Sequence, residues 1–129
     1  MILTPFIKTN IKLINVKNHI PNEYDFYIGR PSILGNPYSH KKDSIADIIV
    51  ESRDVAVEKY KEYFYDRIES DDKVFIGELN RMYDFYKEHG KLNICCWCHP
   101  KRCHGEVIKE YLENKLKIIF NIYNYDNKI

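Results

Sequence analysis

The run Cys95-Cys96-Trp97-Cys98-His99-Pro100-Lys101-Arg102-Cys103-His104-Gly105 holds all four cysteines of the chain, two of its five histidines and its single tryptophan. Thiols and imidazoles bind soft metals, act as nucleophiles or move protons near neutral pH. Packing alone does not explain such density, so the working site is expected here.

Three chemistries compete for it. The first is zinc, with Cys96, Cys98, Cys103 and His104 as ligands of types that zinc accepts. Their spacing departs from the common fingers, and the adjacent Cys103 and His104 do not easily reach one ion. The second is a reactive thiol. Cys103 just ahead of a helix would feel the positive helix end, and Lys101 and Arg102 add charge, so its pKa is expected to fall. His104 would then serve as base or general acid. The same cations and the amides from Cys103 to Gly105 would receive a phosphate or carboxylate. The third reading is packing, with cysteines as small hydrophobes and histidine closing a turn. Cys95, next to Ile94, is read as a buried structural thiol with no role.

A second segment, Gly29-Arg30-Pro31-Ser32-Ile33-Leu34-Gly35-Asn36-Pro37, also has binding chemistry. Gly29 and Gly35 let a backbone approach a ligand closely. Arg30 suits two-point contact with phosphate or carboxylate, and Asn36 suits a base edge, a ribose or a backbone group. The plainer reading is two tight turns. Neither the Gly-x-Gly-x-x-Gly nor the Walker spacing is present. Glu78 is a further acid to consider, although a solvated helix position explains it as well.

The elements that position these residues follow from periodicity. Ile11 to Val16 and Tyr24 to Ile28 read as strands. A long amphipathic helix is expected from a cap at Asp43 or Ser44, through Ile45, Ile48, Ile49, Ala56, Tyr60 and Phe64 to Ile68. A second helix, capped by Asp71 or Asp72, carries Phe75, Leu79, Met82 and Tyr83 and stops at Gly90. Leu92 to Trp97 reads as a buried strand. A third helix is marked by Val107, Ile108, Tyr111 and Leu112. The β-branched stretch 116–125 is expected as a last strand or extended segment, with residues 126–129 fraying.

Strands alternating with helices predict one α/β domain over residues 1–129, a small three-layer Rossmann-like fold with a three- to four-stranded, mainly parallel sheet. Both special loops then directly follow strands. Ligands sit beyond the carboxyl ends of such strands, so the two loops would share one cleft if their strands are parallel neighbours.

Composition narrows the classes. The 129 residues are 44% hydrophobic and 30% charged, an ordinary globular balance. Twenty basic against nineteen acidic residues leave a net charge of +1, which gives no support to a non-specific polyanion binder. A local basic patch with Lys41, Lys42, Lys101, Arg102 and some of the eleven tyrosines still leaves room for nucleic acid. No apolar run reaches about 18 residues, so no membrane span is expected. The first residues do not read as a signal peptide, and a cytoplasmic location with reduced thiols is expected.

Four segments carry a family resemblance: Tyr27-Ile28-Gly29-Arg30, Leu34-Gly35-Asn36-Pro37-Tyr38, Tyr60-Lys61-Glu62-Tyr63 and Cys96-Trp97-Cys98-x-Pro100-x-x-Cys103-His104-Gly105. In their order the chain, from about Asp25 to Leu112, resembles a domain of unknown function found in bacteria and many bacteriophages. Where that family has aspartate after Cys-His-Gly, this chain has Glu106, and Cys95 lies outside the pattern. The cysteine segment also resembles, over a shorter stretch, a second small uncharacterised family with Cys-x-Glu...Cys-His-Arg after a strand. The resemblance implies a compact α/β domain with a shared polar cleft and brings no established reaction. Occurrence in phages suggests nucleotide metabolism, DNA modification or interference with signalling nucleotides as settings.

The function expected is binding or processing of a small phosphorylated ligand, a nucleotide or nucleoside derivative, by a monomer or homodimer. Gly29, Arg30, Gly35 and Asn36 would hold it from one side, and Lys101, Arg102 and Gly105 from the other. Cys103 and His104 would be the catalytic groups. Two alternatives are a zinc-stabilised, non-catalytic module for nucleic acid or a protein partner, and an inhibitor whose exposed aromatics cover a host protein.

Overall fold

The structure is a computed structural model that describes residues 8–41 and 48–126, with side chains as far as Ile118. Three strands form its main sheet: β1 (Ile11–Asn15), β2 (Asp25–Tyr27) and β5 (Leu92–Cys96). The order is β1-β5-β2 and both pairings are parallel, with Leu13 opposite Ile94, and Phe26 opposite Ile94 from the other side. β5 is therefore central, and all five of its residues are buried, as the continuous apolar run Leu92-x-Ile94-Cys95-Cys96 requires. Because β2 and β5 are parallel neighbours, the loops that follow them leave the same edge of the sheet.

Two short strands, β3 (Tyr38–Ser39) and β4 (Ile48–Ile49), pair in parallel as a separate ribbon. They correct the expected long helix. Ile48 and Ile49 fit helical spacing, yet they are extended, and the helix α1 spans only Arg53–Glu69. Ser52 caps it by accepting the Val55 N–H at 3.1 Å, which satisfies one of the unpaired amides of the first turn. The expected cap at Asp43 or Ser44, and Ile45, lie outside the described residues.

α2 (Lys73–His89) begins and ends where its local signals place it. Asp72 accepts the Phe75 N–H at 3.2 Å. Gly90 takes a left-handed φ of 71° and its N–H reaches the Tyr86 carbonyl at 2.7 Å, a conformation that glycine adopts without a Cβ penalty. α3 (Gly105–Asp126) is one helix of 22 residues. The expected strand or extended segment over 116–125 is thus corrected. Its β-branched residues continue a helix whose first turns are anchored by the buried Val107, Ile108 and Leu112, and tertiary anchoring outweighs the small propensity differences.

The core joins Ile11, Phe26, Ile28 and Ile94 of the strand region to Tyr60 and Phe64 of α1, Phe75, Leu79 and Met82 of α2, and Ile108 and Leu112 of α3. Burial of each such side chain contributes about 2 kcal/mol. Phe64 is the hub of the aromatic part, in edge contact with Phe75 and Tyr111 at 5.4 Å between ring centres. The Tyr60 hydroxyl, fully buried, donates to the Leu34 carbonyl at 2.8 Å, so α1 fixes the glycine-proline loop through the core. The described part is a mixed α/β fold with three helices and small parallel sheets.

Candidate functional site

A cleft of about 580 Å³ opens at the carboxyl edge of the sheet. Its walls take Tyr27, Gly29, Arg30 and Asn36 from the β2 side, Cys96 to His104 from the β5 side, Tyr38 to Lys41 from the β3 segment, and Arg53, Ala56 and Val57 from α1. Arg30 and Cys103 therefore face one hollow. Asn15, at the end of β1, donates from its side-chain amide to the carbonyls of Trp97 (3.2 Å) and His99 (2.7 Å). It holds the cysteine loop in place, a role its isolated position in the sequence does not signal.

Turn geometry explains the glycines. The Ser32 N–H reaches the Gly29 carbonyl at 2.8 Å, and the Gly35 N–H reaches the Ser32 carbonyl at 2.9 Å. Two turns thus follow one another. A Cβ on Gly29 would lie 2.2 Å from the Tyr27 hydroxyl oxygen, so the phenol rests on the bare backbone. A Cβ on Gly35 would meet the Ser32 carbonyl at 3.0 Å and the Arg30 Cα at 3.2 Å. Gly35 lies outside the residues that line the cleft, and what the structure shows for it is turn closure. Gly105 is likewise a packing residue. It is buried outside the cleft wall, where a Cβ would meet Leu13 at 2.9 Å and Ile28 at 3.1 Å.

Asn36 lines the cleft, but its side chain braces the loop. Its amide donates to the Ala56 carbonyl at 3.2 Å, and its oxygen accepts the Tyr38 N–H at 2.9 Å. Arg30 spends Nη1 on the Asn36 carbonyl at 2.6 Å. Arg102 is held by three carboxylates, Asp54 (3.2 Å), Glu58 (2.8 Å) and Glu106 (2.7 Å), which raise its pKa further. It ties the loop to α1 and α3, and a guanidinium so occupied is poorly placed to take a ligand anion. Lys101 and Lys41, by contrast, have no carboxylate partner among the described residues. Arg53 donates to the Arg102 carbonyl at 3.3 Å. Burial and the charges of Arg53, Lys41 and Lys101 push the His40 pKa down, so the wall carries a positive field. Glu78 is spent on a two-point pair with Arg81, both contacts 2.7 Å, away from the cleft.

The thiols divide differently from expectation. Cys96 and Cys103 are buried with their sulfurs 3.3 Å apart. Either thiol could donate across this contact; the backbone amides of His99 and Cys98, which also reach the Cys96 sulfur, favour the proton on Cys103. Against the opposing effect of burial, these hold the Cys96 pKa down at about 6. Cys103 moves up, because its proton is held by Cys96 and it is buried beside that developing charge; one amide, from Gly105, acts the other way. The expected lowering falls on Cys96 rather than on Cys103: two amides and a thiol at the Cys96 sulfur outweigh one amide at the helix start, so the pair favours ionisation at Cys96. Cys95 is pushed up to about 12 by burial and the Asp25 carboxylate, and stays a thiol.

His104 is also redirected. Its Nε2 lies 2.7 Å from the Ile28 carbonyl, and its ring stands edge-on to Tyr60 at 4.8 Å. Burial, with some help from the Arg30 charge, brings its pKa down to about 4 despite that carbonyl. The ring is neutral near pH 7, with Nε2–H donating to Ile28 and only Nδ1 left as an acceptor. Burial thus disfavours the protonated ring at neutral pH, and His104 fastens the start of α3 to the end of β2.

Cys96, Cys98, Cys103 and His104 do not gather their ligand atoms within 4.8 Å of one another. Among the described residues, the cluster of three or more metal-ligating side chains with ligand atoms mutually within 4.8 Å is His19, Asp25 and Cys95. Cys98 and His104 do not join Cys96 and Cys103 in such a group. The His19 cluster is satisfied internally, with His19 Nε2 on Asp25 at 2.9 Å and the Asn93 amide on Asp25 at 3.0 Å. At the cleft mouth Trp97 is 64% and Tyr27 43% exposed, and the Trp97 Nε1–H donates to the Tyr27 hydroxyl at 3.1 Å.

The pattern of the family described as Domain of unknown function (DUF4326) matches residues 11–114. The chain belongs to that family. The DUF4326 match begins at β1, earlier than the resemblance from about Asp25, and so includes the strand that carries Asn15. The chain is also similar to the uncharacterized 12.4 kDa protein in the nrdA-td intergenic region of Enterobacteria phage T4. The two are 28% identical over 116 residues, covering 90% of this chain and 93% of the phage protein. No solved structure matches. No helix among the described residues is long and apolar enough to cross a membrane.

Proposed function

We propose that the cleft binds a small phosphorylated ligand, a nucleotide or nucleoside derivative. The observation that carries this reading is the joining of two surfaces in one hollow: the aromatic pair Trp97 and Tyr27 at its mouth, and the cations Lys41, Arg53 and Lys101 on its wall. A base stacks on an exposed indole with about 1–3 kcal/mol, and a phosphate is drawn to cations that have no carboxylate partner among the described residues. The volume of about 580 Å³ falls within the usual range of small-molecule sites, about 300–1,000 Å³. Arg30 and Asn36 shape the wall, and Lys101 is the anion contact of the cysteine loop. Any covalent chemistry at the floor would begin at the Cys96 thiolate, with Cys103 as its proton donor. The architecture retained with this reading is a small three-layer Rossmann-like domain, acting as monomer or homodimer.

The test is native mass spectrometry of freshly purified full-length protein, followed by addition of nucleoside monophosphates. A retained or added phosphorylated ligand that is lost in Lys101→Ala and Trp97→Ala supports the reading. Failure of every such ligand to bind the folded protein overturns it.

A further inference from the structure

We propose that Cys96 and Cys103 are a dithiol–disulfide couple, oxidised by a hydroperoxide at the floor of the cleft. The two sulfurs lie 3.3 Å apart although they come from different places, the last residue of β5 and the turn ahead of α3. Both belong to the cleft wall, so an oxidant small enough to enter the hollow meets them. A disulfide bond is about 2.0 Å long, so closure asks little of the side chains. The other two cysteines provide the contrast: Cys95 is buried outside the cleft wall, and Cys98 is only half-buried.

The Cys96 thiolate attacks one peroxide oxygen, the O–O bond breaks, and the departing oxygen leaves as alcohol or water after taking a proton from solvent water, which holds the proton Cys96 gave up on ionising. Cys96 is then a sulfenic acid. The Cys103 sulfur attacks the Cys96 sulfur, the S–O bond breaks, and the hydroxide leaves as water with the Cys103 proton. Two thiols are oxidised by two electrons, and one hydroperoxide is reduced. The two backbone amides at the Cys96 sulfur, against one at Cys103, favour the ionised form of Cys96 and so assign it the attacking role and Cys103 the resolving one. The new bond closes Trp97 to Arg102 into a covalent loop. Lys101 rides on that loop, so the oxidation state of the pair reaches the anion-binding wall.

Disulfide formation and ligand affinity are read separately, so the couple can fail while the ligand binds, and the reverse. The experiment exposes the reduced full-length protein to hydrogen peroxide, alkylates remaining thiols and maps linkages by peptide mass spectrometry. The expected result is a Cys96–Cys103 linkage in the natural chain and in Cys95→Ser and Cys98→Ser, with Cys95 still alkylated as a free thiol. Cys103→Ser should lose the linkage and stop at a Cys96 sulfenic acid trapped by dimedone. If Cys103→Ser does not fold, the map of the natural chain decides alone. A linkage from Cys96 to Cys98, oxidation of Cys96 straight to sulfinic acid, or stoichiometric zinc retained on these thiols would each overturn the proposal.

Discussion

Trp97 donates its indole N–H to the hydroxyl of Tyr27 at 3.1 Å, and this bond joins the two loops that follow adjacent parallel strands. Tyr27 ends β2, pairs in register with Cys95 of β5, and lies over Gly29. The Trp97 side chain stands just beyond the last residue of β5. The sheet register thus sets where the cleft mouth is.

Gly29→Ala places a methyl group within the space of the Tyr27 phenol. The phenol is the free end of an exposed side chain, so it should swing away and the fold should persist, with loss of the Trp97–Tyr27 bond. Ligand affinity is expected to fall by about tenfold if one stacking contact is lost, measured by calorimetry. Gly105→Ala meets buried Leu13 and Ile28 instead, and should destabilise the protein by about 1–3 kcal/mol in urea unfolding.

Arg102→Ala removes three ion pairs that are well exposed to solvent. Screening keeps such pairs weak, so a loss of about 1 kcal/mol or less is expected. Lys101→Ala should do the reverse, weakening the binding of a phosphorylated ligand more than it changes stability. Paired unfolding and binding measurements on the two variants separate these roles.

The pH dependence of stability should carry the mark of His104. Its pKa is about 4 in the fold against an ordinary 6.5, so the unfolded chain takes up a proton first as the pH falls. Stability contributed by the neutral ring is complete above pH 6.5 and is lost between 6.5 and about 4, reaching about 3 kcal/mol. His104→Phe should flatten that part of the profile in urea unfolding across pH, even if it lowers stability overall.

Thiol reactivity should report the Cys96–Cys103 hydrogen bond. Alkylation of Cys96 in the natural chain is expected to titrate near pH 6. Cys103→Ala removes the donor, so the Cys96 pKa should rise and its alkylation at pH 7 should slow by about tenfold. A titration unchanged by Cys103→Ala would show that the backbone amides alone hold the charge.

Locally encoded features were legible in the sequence. Asp72 and Gly90 bound α2 because capping chemistry is a property of a few neighbouring residues. The strand-then-loop order of Tyr24–Pro37 and Leu92–His104 pointed to one shared cleft because parallel strands put such loops on one edge. Long-range partners were not legible. Two of the three carboxylates that occupy Arg102 come from Asp54 and Glu58, far away in the chain, and the carbonyl that His104 bonds belongs to Ile28. The periodicity of Ile48 and Ile49 fitted a helix as well as a strand, and Ser52 decided the matter. The sequence offers Cys96 as a zinc ligand or a packed thiol, because the Cys103 thiol and the amides of Cys98 and His99 around its sulfur meet it only in three dimensions. Arg53, Ser39 and His40 gave no sequence signal as cleft residues.

The central claim is that Lys101 and Trp97 serve one ligand at opposite parts of one cleft. Isothermal calorimetry of a nucleoside monophosphate, its parent nucleoside and inorganic phosphate against the natural chain, Lys101→Ala and Trp97→Ala tests it most directly. The account predicts that the natural chain binds the monophosphate more tightly than either fragment, that Lys101→Ala loses the advantage over the nucleoside, and that Trp97→Ala loses the advantage over phosphate. A monophosphate that binds no better than its fragments, or that binds both variants as tightly as the natural chain, would contradict it.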